Sequence, residues 1–129
     1  MGTGMNRTAG LLLLLLLVSC GGSTPSDPGP PLPSNPYTFT IMSSGVTPKE
    51  LTVPPGSRVL FVNSGTVRRN MTSDPHPEHN DCPEINDVGL LTAGARKETG
   101  NLNAVRTCGF HDHDDPDNTS VNGRIVIRP

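Results

Sequence analysis

From residue 37 onward the apolar residues never recur at the three-and-four spacing of a helix; they come in short runs cut by Pro, Gly, Ser and Asn. A chain patterned this way has no helical face to bury and must build its core from strands. In Tyr37-Thr-Phe-Thr-Ile-Met42, Tyr37, Phe39 and Ile41 fall on one face and Thr38 and Thr40 on the other, a period of two in β-favouring residues. Leu51 and Val53 follow, and then Pro54-Pro55-Gly56, a turn because Pro fixes its φ and Gly supplies a positive one. Val59-Leu60-Phe61-Val62 reads as a strand buried between two layers. Further strands are expected near Arg69 to Thr72, over Val88 to Leu91, at Arg96 to Thr99, over Leu102 to Cys108 and from Gly123 to Arg128, with the rest of Val67 to Asn86 as loop. The predicted class is all-β, an antiparallel sandwich or barrel.

The N-terminus bears on the compartment. Arg7 precedes an apolar core, Leu11 to Val18, that is too short for a stable membrane span, so residues 1–19 read as a signal peptide. It ends Leu17-Val18-Ser19-Cys20, which resembles the bacterial lipobox, and the resemblance implies acylation of Cys20 by palmitate-type chains. Gly21, rather than Asp, follows the acylated Cys, which for lipoproteins of Gram-negative type implies export to the outer membrane. The expected location is the cell envelope, with the membrane as a partner through the lipid anchor. Residues 20–36 are Pro, Gly and Ser with almost nothing to bury, a tether. Residues 37–129 make one domain, close to the size at which a sandwich core is marginal without a staple or a metal. With 10 Lys and Arg against 12 Asp and Glu, and no Trp, there is no electrostatic case for nucleic acid.

Within that domain every His and Cys falls in two clusters, His76-Pro-Glu-His79-Asn-Asp-Cys82 and Cys108-Gly-Phe-His111-Asp-His113. Both read as loops. Thiolate and imidazole are the donors that copper and zinc prefer, which makes His76, His79, Cys108, His111 and His113 candidate metal ligands. In an exported chain Cys82 and Cys108 can instead form a disulfide, stabilising the domain by roughly 3–4 kcal/mol in the chain-entropy model. Both fates of Cys108 stay open, with the balance toward the disulfide. The acidic run from His111 to Asp117 lacks the Gly and the bidentate Glu of a calcium loop and reads as a solvated face. No nucleophile elbow, metalloprotease helix or phosphate loop appears, so a binding or electron-transfer module is expected rather than an enzyme.

Taken together the residues resemble a cupredoxin, the family of plastocyanin and azurin, over about Tyr37 to Arg128. Members place a Cys at the end of the penultimate strand, a His a few residues later, an axial Met, and then a Gly-led strand; Cys108-x-x-His111 and Gly123-Arg-Ile-Val-Ile match. Leu51-x-Val53, the Pro-x-Gly turn, Phe61-Val62-Asn63 and Leu90-x-x-x-Gly94 match as well. The resemblance implies a Greek-key β-sandwich, copper as cofactor, electron transfer, and an exported redox or copper-handling partner protein, with His111 as the first candidate ligand. Two positions depart from the pattern: Arg69 stands where the family's first His stands, and Val121 where its axial Met falls. Zinc held by His76, His79, Cys82, Cys108 and His111, or no metal at all in a disulfide-stapled module, are the alternatives.

Overall fold

The three phenylalanines of the chain meet in one place. Phe39 and Phe110 have ring centroids 4.8 Å apart, Phe61 and Phe110 5.0 Å, and Phe39 and Phe61 5.2 Å, and all three are fully buried. Tilted and edge-on pairs of this kind add about 0.5–1.5 kcal/mol each beyond the area they bury. They come from different sheets and clamp them together.

The computed structural model describes Gly2 and residues 34–129; the expected signal peptide, Cys20 and most of the expected tether lie outside the described residues. The strands are β1 (Thr38–Met42), β2 (Gly45–Thr47), β3 (Glu50–Val53), β4 (Leu60–Asn63), β5 (Arg69–Ser73), β6 (Gly89–Leu91), β7 (Arg96–Glu98), β8 (Arg106–Asp112) and β9 (Gly123–Ile127). Short 3₁₀ turns cover Pro83–Asp87 and Thr119–Val121. One sheet runs β2-β1-β4-β7 and the other β3-β9-β8-β5-β6. The expected all-β sandwich is the architecture found, with one difference: β1 pairs β4, and β3 pairs β9, in parallel. Parallel neighbours need long crossovers, and here the chain passes between the two sheets to make them.

Alternation along each strand feeds the core. Phe39 and Ile41 of β1, Phe61 of β4, Met71 of β5, Cys108 and Phe110 of β8, and Ile125 and Ile127 of β9 all point between the sheets. Gly123 is required beside this cluster, because a Cβ there would run into the Phe110 ring. Asn35 already belongs to the domain: its side chain donates to Arg58 O at 3.0 Å and Glu98 Oε1 at 2.9 Å.

Two expectations need correction. The strand expected over Leu102 to Cys108 lies at Arg106–Asp112, so the Cys108 to His113 stretch is mostly strand and not loop. Leu102 is buried, but it anchors the chain through a single bridge to Ser57 instead of continuing a ladder. The polar run forms strand because β8 finds its partner in β5, with Met71 opposite Asp112, Thr72 opposite His111 and Ser73 opposite Phe110. Cys82 and Cys108 are joined in a disulfide with Cα atoms 5.7 Å apart, linking the segment after β5 to the middle of β8 across 26 residues. Both are fully buried. Replacing them together by Ala is expected to lower unfolding stability by roughly 2–4 kcal/mol through the lost restraint on the unfolded chain. A urea unfolding series of the double variant under non-reducing conditions measures this, and an unchanged midpoint would exclude it.

Candidate metal centre

Successive side chains of a strand face opposite ways, so residues three apart cannot share a face. Cys108 and Phe110 of β8 lie in the core, and His111 therefore faces the outer side of the five-stranded sheet. It is nonetheless only 3% exposed. The segment that leaves β5 folds back over it, and that segment carries the second cluster of histidines.

All four histidine rings converge there. Centroid separations are 5.3 Å for His76 and His79, 5.4 Å for His76 and His111, 5.2 Å for His76 and His113, 5.0 Å for His79 and His111, and 4.9 Å for His79 and His113. One nitrogen each from His76, His79 and His111 lies within 4.8 Å of the others.

Two of these rings have their tautomers fixed by what they touch. Nδ1 of His111 donates to Oδ1 of Asp74 at 2.6 Å, which leaves Nε2 as the lone-pair nitrogen. That Nε2 is buried and has no hydrogen-bond partner among the described residues. Nδ1 of His79 lies 2.9 Å from the carbonyl of Ser73, an acceptor only, so it carries the proton and again frees Nε2. A carboxylate or carbonyl behind each imidazole is the support that metal-binding histidines normally have.

His79 is also held in a left-handed backbone conformation, φ +52°. For a non-glycine residue such a conformation costs about 1–3 kcal/mol and persists only where its surroundings enforce it. Here His79 N donates to Pro75 O at 2.7 Å and Asn86 Nδ2 donates to His79 O at 2.8 Å. Asp74 is placed as tightly, its N donating to Gly109 O at 3.0 Å and its carbonyl accepting from Asp81 N at 3.0 Å. Gly109 lets this happen: a Cβ there would overlap the Asp74 carboxylate.

The sequence-predicted residues divide accordingly. His76, His79, His111 and His113 are brought together. Cys108 is not: its sulfur is bonded to Cys82, and it points into the core on the opposite face from His111. The expectation that Cys108 and His111 face one ion is thereby corrected, and so is the five-residue zinc set, since neither sulfur is a free thiolate. Asp74, Ser73 and Gly109 were missed. The only signal for Asp74 was its place one residue before Pro75-His76-Pro77, which says nothing about contact with His111.

The inner face at the same level holds different chemistry. Asp112, 1% exposed, ends β8, and its Oδ2 accepts from Nη1 of Arg69 at 3.1 Å. Its Oδ1 accepts from the backbone N of Asn70 at 2.9 Å and of Asp114 at 3.2 Å. Arg69 stands at the position the resemblance gives to the first His; and because β8 runs on to Asp112, the strand end where the resemblance calls for a thiolate is held by Asp112 and not, as the match of Cys108 implies, by Cys108. A buried ion pair occupies that place, with Val121 fully buried.

No protein-family model matches this sequence, and no curated protein does. Solved structures do match by shape. Amicyanin from Paracoccus versutus is 14% identical with a TM-score of 0.60, over 76% of this chain and 86% of that one. A purple cupredoxin from Nitrosopumilus maritimus is 17% identical at 0.56, over 71% and 99%. Reduced auracyanin from Roseiflexus castenholzii is 16% identical at 0.51, over 74% and 100%. The domain has the cupredoxin fold.

Gly109→Ala is expected to push Asp74 off His111 and to weaken any metal binding at the cluster by roughly 10–100-fold, the usual cost of losing an outer-shell partner. Calorimetric titration with Cu(II), beside a circular-dichroism check of the β signal, measures it. Unchanged affinity in a folded variant would show that Asp74 does not support the site.

Proposed function

We propose that this chain is an exported, membrane-tethered cupredoxin-fold protein that binds copper through imidazoles on the outer face of its five-stranded sheet. In this reading it holds copper or passes it to an exported partner, and does not act as a blue-copper electron carrier. One observation carries the proposal: His111, whose buried Nε2 has no partner among the described residues, offers a nitrogen within 4.8 Å of nitrogens of His79 and His76, with Asp74 fixing the tautomer of His111 and Ser73 that of His79. Leaving such a nitrogen buried without a partner is unfavourable, and a metal ion satisfies it. Imidazole suits copper, zinc and nickel alike, but copper heads the affinity order of divalent ions at a given nitrogen site. The fold supports the same choice.

The blue-copper site needs a thiolate, two imidazoles and a weak axial ligand. The Cys82–Cys108 bond and the Arg69–Asp112 pair are at odds with such a site. Residues 1–36 support the tether, through the lipobox-like Leu17-Val18-Ser19-Cys20 and the Pro-rich stretch after it.

With the disulfide intact, the full chain is expected to bind one Cu(II) without a strong thiolate charge-transfer band in the visible. His111→Ala is expected to weaken that binding at least tenfold. A titration read by absorbance and calorimetry tests both points; failure to bind copper more tightly than the urea-unfolded chain would end the copper proposal. For the anchor, Cys20→Ala is expected to move the protein from the membrane to the soluble exported fraction. Retention in the membrane after that change would sink it.

A further inference from the structure

Resting on the copper reading, we infer that His113 is a fourth ligand of this centre, through Nδ1, added to the set of His76, His79 and His111 whose nitrogens lie within 4.8 Å of one another. His113 Nδ1 stands 2.8 Å from His79 Nε2. Two nitrogens each about 2.0 Å from one ion stand about 2.8 Å apart at a right angle and about 3.3 Å apart at the tetrahedral angle. The 2.8 Å contact is a hydrogen bond between the two rings, and it already holds both nitrogens near the separation that two ligands of one ion take up.

The proton inventory allows the exchange. His79 has committed its Nδ1 proton to Ser73 O, so across the 2.8 Å contact His113 Nδ1 is the donor and His79 Nε2 the acceptor. The ion takes the place of that proton, and the exposed His113 ring carries its proton on the other nitrogen instead. No protein group has to be broken out of the core to admit the metal.

His113 is well placed for this role despite its exposure. Its backbone N donates to Asn70 O at 2.7 Å, carrying the β5–β8 pairing one step past the strand end. Asp112 before it is buried in the ion pair with Arg69, and Asp114 after it accepts from Asn70 Nδ2 at 3.2 Å. The ring projects from a fixed backbone. His79 and His111 form the rigid side of the site, and His113 and His76 the open side through which an ion enters.

The test compares the full chain with His113→Ala and His113→Asn by Cu(II) titration against a chelator and by frozen-solution electron paramagnetic resonance. Asn can keep a donor near the place of Nδ1, so it preserves the hydrogen bond to His79 while offering no imidazole. The expected result is a signal with the nitrogen pattern of four imidazoles in the full chain. Both variants are expected to lose one nitrogen and to bind at least about tenfold more weakly, since a ligand is worth no less than an outer-shell partner. If Asn restores the parent signal and affinity, or if Ala leaves them unchanged, His113 is not a ligand and the inference falls while copper binding stands. Absence of copper binding in the full chain would overturn the copper reading itself, and this inference with it.

Discussion

The pairing of β5 with β8 is the constraint on which the rest depends. With Met71 opposite Asp112 and Thr72 opposite His111, a single register decides two environments at once. Inward-facing residues of the two strands supply Met71, Phe110 and Cys108 to the core and bring Arg69 against Asp112. Outward-facing positions carry His111, over which the chain leaving β5 lays Asp74, His76 and His79. A slip of one residue would exchange the two faces, sending His111 into the core and Asp112 out to the histidines.

The inner ion pair gives this end of the sandwich its rigidity. Desolvating Arg69 and Asp112 is costly, and their mutual attraction offsets that cost only with good geometry and further hydrogen bonds. Asp112 has both, through Arg69 Nη1 and two backbone amides. The pair fixes the end of β8 near which His111 and His113 stand. The exposed contact between Arg68 and Asp114 adds little beside it.

The histidine cluster is built from outside in. Gly109 admits Asp74, Asp74 orients His111, and the Ser73 carbonyl orients His79, so each ring nitrogen that faces the centre is chosen by a contact on its far side. The left-handed conformation of His79 belongs to the same construction, since three hydrogen bonds hold the residue where its ring reaches the others. Strain maintained in this way, beside a buried nitrogen with no partner among the described residues, is the observation behind the proposed metal site.

The all-β class, the positions of β1, β4, β5 and β9, and the confinement of His and Cys to two clusters could be read directly, because alternation, turn residues and donor types are local properties of a sequence. The bond between Cys82 and Cys108 was one of two legible options. Their burial and 5.7 Å Cα separation decided it. What could not be read was the face on which each ligand candidate lies. Cys108 and His111 look like partners when they are counted along a loop; once Phe110 is known to be in the core of a strand, they are on opposite sides of a sheet. Asp112 looked like part of a solvated acidic run and is instead a buried charge, because Arg69, far away in sequence, pairs with it. The types of side chain available were set by the sequence alone. Which of them meet was decided by the register between two strands, a long-range pairing that no local pattern encodes.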